Sequence, residues 1–265
     1  MPELPEVETY RRRIAPKVIG GCISGTWVGK TKFRRATNFH AEKFIGKKCL
    51  GVDRHGKWLI LRFAGGQDLF VHLGMSGRFE VRELKFVPDR HDHLALLLAG
   101  GISLVFNDRR RFGAYQMAPP LILGPDALSA NFSAEWVNHV APSSRSTIAA
   151  FLLNQQRVAG LGTIYASESL HAAQLNPSRG LNSLSKAEIN RLVSSIKNVL
   201  RKAIEVGGTT LEDYRGTANE LGNYERFLNV YGKLGCSCPR CRRKNKVVST
   251  LISNRRIYSC LHCQI

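Results

Sequence analysis

Four cysteines near one end of the chain carry the plainest chemical signal. Cys238-Pro-Arg-Cys241 and Cys260-Leu-His-Cys263 are two C-x2-C pairs separated by 18 residues. Each pair can set two thiolates at one corner of a tetrahedral site, and four thiolates make the closed, structural kind of zinc centre. Cys236, two residues before Cys238, is a rival ligand that spacing alone leaves open. Between the pairs stand Arg242, Arg243, Lys244, Lys246, Arg255 and Arg256, with no acidic residue among them. A zinc-stapled basic hairpin is suited to gripping phosphates.

The whole chain repeats that bias. Its 265 residues hold 39 Lys+Arg against 20 Asp+Glu, a formal charge of +19. Such an excess repels itself in a compact state, so a polyanionic partner is expected, and nucleic acid is the favoured one. At 43% hydrophobic and 22% charged residues the composition is that of a globular protein, which excludes collagen-like, coiled-coil and wholly disordered readings. The longest apolar run, Leu94 to Phe106, is interrupted by Gly100, Gly101 and Ser103 and falls short of the ~18 residues a membrane span needs. MPELPEVETYRRR has no apolar core, so no secretory signal is expected and a cytoplasmic address follows. In that setting seven cysteines read as thiols or metal ligands rather than disulfides. Cys22 and Cys49, among apolar or glycine neighbours, are expected to pack inward.

The elements that must position these groups divide by pattern. Pro2 and Pro5 can open a helix whose apolar face runs Val7, Tyr10, Ile14 and Val18. Trp58–Phe63 and Asp68–His72 flank Ala64-Gly65-Gly66, and His93–Leu98 and Ile102–Phe106 flank Ala99-Gly100-Gly101, which predicts two hairpins within a sandwich or barrel. Pro119, Pro120, Gly124 and Pro125 mark a linker or hinge over 119–133. Beyond it the periods lengthen. Helices are predicted over Ile148–Gln156, Thr163–Ala173 and Lys186–Val206, the last capped by Ser185 with Glu188 three residues on. Val158-Ala159-Gly160-Leu161-Gly162 makes a compact turn between the first two. It can aim backbone N–H groups at phosphate, and it can equally serve as a packing turn. The expected division is 1–118, a linker over 119–133, 134–228, and a finger over 229–265.

Pro2-Glu3-Leu4-Pro5-Glu6-Val7-Glu8-Thr9 resembles the start of the formamidopyrimidine-DNA glycosylases, the family that includes endonuclease VIII. Further matches follow in family order. They are His55-Gly56-Lys57, His72 through Gly77, Asn107-Asp108 with Arg110 through Gly113, Leu123 through Asp126, Val158 through Gly162 with Ile164 through Glu168, Gly207 through Leu211, and the terminal ribbon. The resemblance implies an α+β chain: an N-terminal β-sandwich with an N-terminal helix, then a helix-two-turns-helix domain with a zinc-ribbon finger. It also implies a bifunctional glycosylase and AP lyase of base-excision repair, a monomer that excises oxidised purines such as formamidopyrimidine and 8-oxoguanine from double-stranded DNA and cleaves abasic sites.

Residue roles follow from the same likeness. Pro2, freed of Met1, is implied as the nucleophile; a proline α-amine titrates near ~8 and is partly unprotonated at neutral pH. Glu3 is implied as the general acid/base. Lys57, expected at the start of a strand, and Arg255 would clamp the phosphates flanking an extruded nucleotide. Met75, Arg110 and Phe112 match the intercalating trio; Met75 and Phe112 would ordinarily read as core residues, but Gly74, Ser76, Gly77 and three consecutive arginines suit an exposed loop, and Arg111, His72 and Thr163 are expected to contact DNA. Zinc on Cys238, Cys241, Cys260 and Cys263 is the one implied cofactor. Arg109 stands where the family usually has proline, Thr163 where it has asparagine and Ala149 where it often has lysine. Glu220 through Tyr224 lack the usual Asp-Gly. Three rivals remain: an endonuclease VIII-like pyrimidine or abasic-site specialist, a non-catalytic damage-binding protein, and an RNA-binding zinc ribbon.

Overall fold

The computed structural model describes residues 1–31, 39–83, 85–119, 122–209, 222–241 and 246–265. Arg242, Arg243, Lys244, Pro120, Thr210, Leu211, Glu220 and Leu221 lie outside the described residues. The described residues form two compact units, one within residues 1–119 and the other within 122–209 and 222–265.

The first unit opens with α1 (Leu4–Val18). Two four-stranded antiparallel sheets follow, built from β1 (Ile23–Val28), β2 (Cys49–His55), β3 (Trp58–Phe63), β4 (Gln67–His72), β5 (Gly77–Arg82), β6 (Asp92–Leu98), β7 (Ile102–Asp108) and β8 (Ala114–Gln116). One sheet has the order β1-β6-β7-β5 and the other β2-β3-β4-β8. Strand geometry sends alternate side chains to one face, so Leu59, Leu61 and Phe63 of one sheet and Leu94, Leu96 and Leu98 of the other turn into a shared core. Val7, Ile14 and Val18 of α1 close that core, with Tyr10 packed at its edge. Both glycine-turn hairpins form in register, β3 on β4 and β6 on β7. Cys49 is buried as expected but Cys22 is exposed. Ile23 takes the inward position, and period 2 turns its neighbour outward.

The connections from β4 to β5 and from β7 to β8 each pass from one sheet to the other. These two crossovers carry Met75 and Arg110–Phe112.

The second unit holds α2 (Ala134–Val140), α3 (Ile148–Leu153), α4 (Thr163–Ala173), α5 (Lys186–Glu205) and the hairpin β9 (Val248–Ile252) and β10 (Arg255–Ser259). α5 buries Ile189, Leu192, Val193, Ile196, Leu200, Ala203 and Ile204 along one stripe, and its first turn is closed by Ser185 and Glu188 accepting from each other's backbone N–H. α3 ends at Leu153, three residues earlier than its apolar pattern suggests. There the Asn154 side chain accepts from the Gln156 N–H, a local bond that competes with another helical turn. The segment before α2 is packed into this unit: Ala127 and Phe132 are fully buried, and the Ala127 N–H donates to the Ala159 carbonyl. Among the described residues no helix is long and apolar enough to cross a membrane.

Candidate functional site

α1 starts where Glu3, itself 3% exposed, serves as N-cap and donates its backbone N–H to Glu6 Oε2 at 2.9 Å. Pro2 is buried just before it, next to an exposed Met1. One turn later Glu8 is buried among cations. Its carboxylate accepts from Arg11 (2.9 and 2.8 Å), from Arg12 (2.8 Å) and from Arg54 Nε (3.2 Å). Burial alone would push Glu8 up; the Arg11 and Arg12 hydrogen bonds and the Arg11 and Arg54 charges outweigh it and hold the carboxyl at about 2.

Arg54 carries this anchorage to Lys57. It is nearly buried, pairs with Glu8, and donates Nη1–H to the Gly56 carbonyl at 3.1 Å. Gly56 opens the two-residue turn between β2 and β3 with φ +58, a conformation costly for any residue with a Cβ. Lys57 therefore sits in the turn, one residue before the strand it was expected to start, and it is 4% exposed rather than solvated. Trp58, which follows, meets the His72 ring edge-on at 5.1 Å. His72 Nδ1 accepts from the Gly74 N–H at 3.0 Å, so this ring fixes the start of the Gly74–Ser76 turn and keeps Nδ1 unprotonated.

The two sheet-to-sheet crossovers are tied by one fully buried carboxylate. Asp108 Oδ1 accepts from the Ser76 hydroxyl at 2.6 Å and from the Arg110 N–H at 3.2 Å, and Oδ2 accepts from the Gly113 N–H at 2.8 Å. Ser76 Oγ also accepts from the Arg110 N–H at 3.0 Å. The Met75 turn and the Arg109–Gly113 loop are thereby held as one body. Gly74, at φ +66, lies so close to Phe112 and Gly113 that a Cβ would strike their backbone. Met75 and Phe112 are half-exposed, whereas Arg109, Arg110 and Arg111 are exposed. The Arg110 guanidinium lies 5.1 Å from the centre of the Phe112 ring, and Arg111 is held at φ +57, a strained setting for a side chain with a Cβ. This surface presents an aromatic, a thioether and three cations together.

In the second unit Gln155 ties the turn between α3 and α4, donating to the Leu161 carbonyl (2.8 Å) and accepting from the Gly160 N–H (3.0 Å). Thr163 is then the first residue of α4, half-buried at the positive end of its dipole. Ala149 is fully buried in α3, so its departure from lysine bears on packing. Ser253 (φ +49) and Asn254 (φ +58) turn β9 into β10 and leave Arg255 exposed at the strand's start, with Nη1 3.3 Å from the Leu153 carbonyl.

The Sγ atoms of Cys238, Cys241, Cys260 and Cys263 all lie within 4.8 Å of one another, and Cys236 is exposed outside that group. The Cys238–Cys263 and Cys241–Cys260 separations are 3.7 and 3.9 Å. A tetrahedral ion with bonds of about 2.3 Å requires sulfurs about 3.8 Å apart, so this cluster can hold a metal ion.

Three buried groups gave no sequence signal of their role. Asp108 is one. Glu168 of α4 is another, accepting at 2.8–3.1 Å from Asn229, Val230 and Tyr231, which lead into the finger. His171 is the third, and it touches Cys238. Acidic and imidazole groups this buried are costly unless bonded, and their bonds come from partners that sequence spacing does not reveal.

Two family models match the chain: the formamidopyrimidine-DNA glycosylase N-terminal domain over residues 1–115 and the formamidopyrimidine-DNA glycosylase H2TH domain over 123–215. The chain belongs to the formamidopyrimidine-DNA glycosylase family. It is similar to the formamidopyrimidine-DNA glycosylases of Azorhizobium caulinodans (38% identical over 292 residues) and Photobacterium profundum (38% over 271), each covered in full by the full chain. Among solved structures it resembles the MutM (Fpg) protein of Thermus thermophilus, at TM-score 0.85 and 35% identity, covering 99% of this chain and 98% of that one. It likewise resembles Lactococcus lactis Fpg in a complex with DNA containing an abasic site, at TM-score 0.85 and 30% identity over 99% of both chains. The glycosylase family's two-part architecture, sheets followed by helices and a four-cysteine cluster, is the one seen here.

Proposed function

We propose that this protein is a cytoplasmic bifunctional DNA glycosylase and AP lyase of base-excision repair, acting on double-stranded DNA that carries oxidised purines or abasic sites. The observation that carries the reading is kinship along the entire chain with proteins named formamidopyrimidine-DNA glycosylase. Relatives in the same fold have been captured with DNA containing Fapy-dG and with abasic DNA. The functional division proposed is a catalytic sandwich over 1–118, a hinge over 119–133, a helix-two-turns-helix domain over 134–228 and a finger over 229–265.

In this reading Pro2, as the free N-terminal amine, attacks C1′ of the damaged nucleotide. The C1′–N-glycosidic bond breaks, the base departs with a proton, and the sugar ring opens to a Pro2 iminium. Glu3 supplies the proton that opens the sugar and then takes protons back. Loss of the C2′ proton expels the 3′ phosphate, loss of the C4′ proton expels the 5′ phosphate, and water then hydrolyses the remaining iminium to free Pro2. While Met1 remains, the Pro2 nitrogen is an amide without a basic lone pair, so the mechanism requires its removal. Lys57 and Arg255 neutralise the flanking phosphates. Met75 and Phe112 fill the vacated stack, Arg110 pairs with the orphaned base, and Arg111, His72 and Thr163 hold backbone.

The four-cysteine cluster is assigned to one structural zinc ion. Four thiolates leave no open position for water, so the metal supports the finger and performs no chemistry. The test is incubation with duplexes carrying 8-oxoguanine, formamidopyrimidine or an abasic site. Base release with strand cleavage upholds the proposal. Tight binding without cleavage turns the assignment to a damage-binding protein, and a preference for oxidised pyrimidines turns it to an endonuclease VIII-like specificity.

A further inference from the structure

The metal cluster has a neighbour that no ligand spacing announces. His171, in the last turn of α4, is 2% exposed, and its Nε2 lies 3.3 Å from Cys238 Sγ. A neutral ring carries one N–H, and which nitrogen holds it is set by what each nitrogen faces. A thiolate bound to a metal can only accept, so it fixes the proton on Nε2.

The geometry points to His171 as a positioning residue of the metal centre: its Nε2–H donates to the Cys238 thiolate and locks the first cysteine pair onto the end of α4. The inference rests on the zinc assignment above. The attachment is reinforced on both sides. Arg240, inside the Cys238–Cys241 knuckle, reaches the Ala172 carbonyl at 3.4 Å. Gln264, just after Cys263, donates to the Leu175 carbonyl at 2.9 Å and accepts from the Cys260 N–H at 2.8 Å. Of these contacts only His171 touches a sulfur. An N–H donor withdraws electron density from the thiolate, which makes it a poorer nucleophile and harder to protonate, so protonation-assisted release of the metal slows. Partners of this kind around bound metals typically change affinity 10–100-fold.

The experiment uses the full zinc-loaded protein with His171→Phe, which keeps the ring volume without a donor, and His171→Gln, which restores an N–H. Zinc release to a chromogenic chelator is timed, and the sulfur-to-metal charge-transfer band is recorded after cobalt replaces zinc. The expected result is release at least about tenfold faster in the phenylalanine variant, with the band moved to lower energy, and recovery of much of both in the glutamine variant. Wild-type release rate and band position in the phenylalanine variant would overturn the inference. Should that variant not fold, the wild type decides alone: 15N-histidine spectra of the zinc form must show an exchange-protected proton on Nε2, and a proton on Nδ1 instead contradicts the proposal. Absence of stoichiometric zinc from the wild-type protein would sink the metal assignment itself, an outcome distinct from either.

Discussion

Asp108 and Ser76 meet at 2.6 Å at the point where the two sheet-to-sheet crossovers touch. Through that contact one buried carboxylate fixes both the turn carrying Met75 and the loop carrying Arg110 and Phe112. Asp108→Asn places an amide donor against at least one of the N–H or O–H groups now facing the carboxylate. Loss of a charged buried acceptor costs about 1.5–3 kcal/mol. The expected outcome is a lowered melting temperature and at least about tenfold weaker binding of abasic duplex, while salt-dependent binding of undamaged DNA, proposed above to rest on charge, changes little. Fluorescence anisotropy on the two duplexes checks it. Equal losses on both would assign Asp108 to the fold alone.

Glu8 predicts a specific acid limit for the first unit. Its folded-state pKa, about 2, lies below the ordinary glutamate value, so the stability it contributes is complete above that ordinary value and is lost as pH falls towards 2. Glu8→Gln should remove this dependence between about pH 4.5 and 2. It should also destabilise the unit at neutral pH, because the nearly buried Arg54 loses the Glu8 carboxylate. Urea titrations across that pH range test both.

Thr163 replaces the asparagine that the family resemblance leads one to expect, giving one hydroxyl donor in place of two amide hydrogens. Thr163→Asn should tighten lesion-duplex binding by about threefold to tenfold with little effect on undamaged DNA, the worth of one neutral hydrogen bond. Abasic-site cleavage should be retained more fully than 8-oxoguanine excision in the wild type. Equal rates on the two substrates, with no gain from the asparagine, would make Thr163 a neutral substitution.

Metal removal should act locally. Chelation or Cys238→Ser is expected to abolish DNA binding while the sandwich, whose core is made entirely within the first unit, keeps its fold. Near-ultraviolet circular dichroism of the tryptophans in the sandwich, with binding measured in parallel, separates the two effects.

Local chemistry made much of this molecule legible. Glycine pairs between apolar runs gave the β3–β4 and β6–β7 hairpins, and Ser185 with Glu188 marked the start of α5. Four cysteines at knuckle spacing announced their own cluster. What stayed hidden depends on partners distant in sequence. Lys57 sits in the turn rather than at the start of a strand, and that turn is fixed by Arg54, which bonds the Gly56 carbonyl and pairs with a glutamate 46 residues away. Asp108 binds a serine 32 residues back, and His171 meets a thiol 67 residues on. Cys22 was misjudged because hydrophobic neighbours say that a strand is half-buried but not which parity faces in.

The Pro2 nitrogen is proposed to form the covalent bond to DNA, and borohydride trapping captures that bond. The protein is incubated with abasic duplex, reduced with borohydride and digested, and the DNA-bearing peptide is sequenced by mass spectrometry. A single adduct is expected on a peptide that begins at Pro2, with Met1 gone, and it should be lost in Pro2→Gly protein or in protein that keeps Met1. An adduct on Lys57 or another lysine, or an undiminished adduct on chains verified to retain Met1, would contradict it.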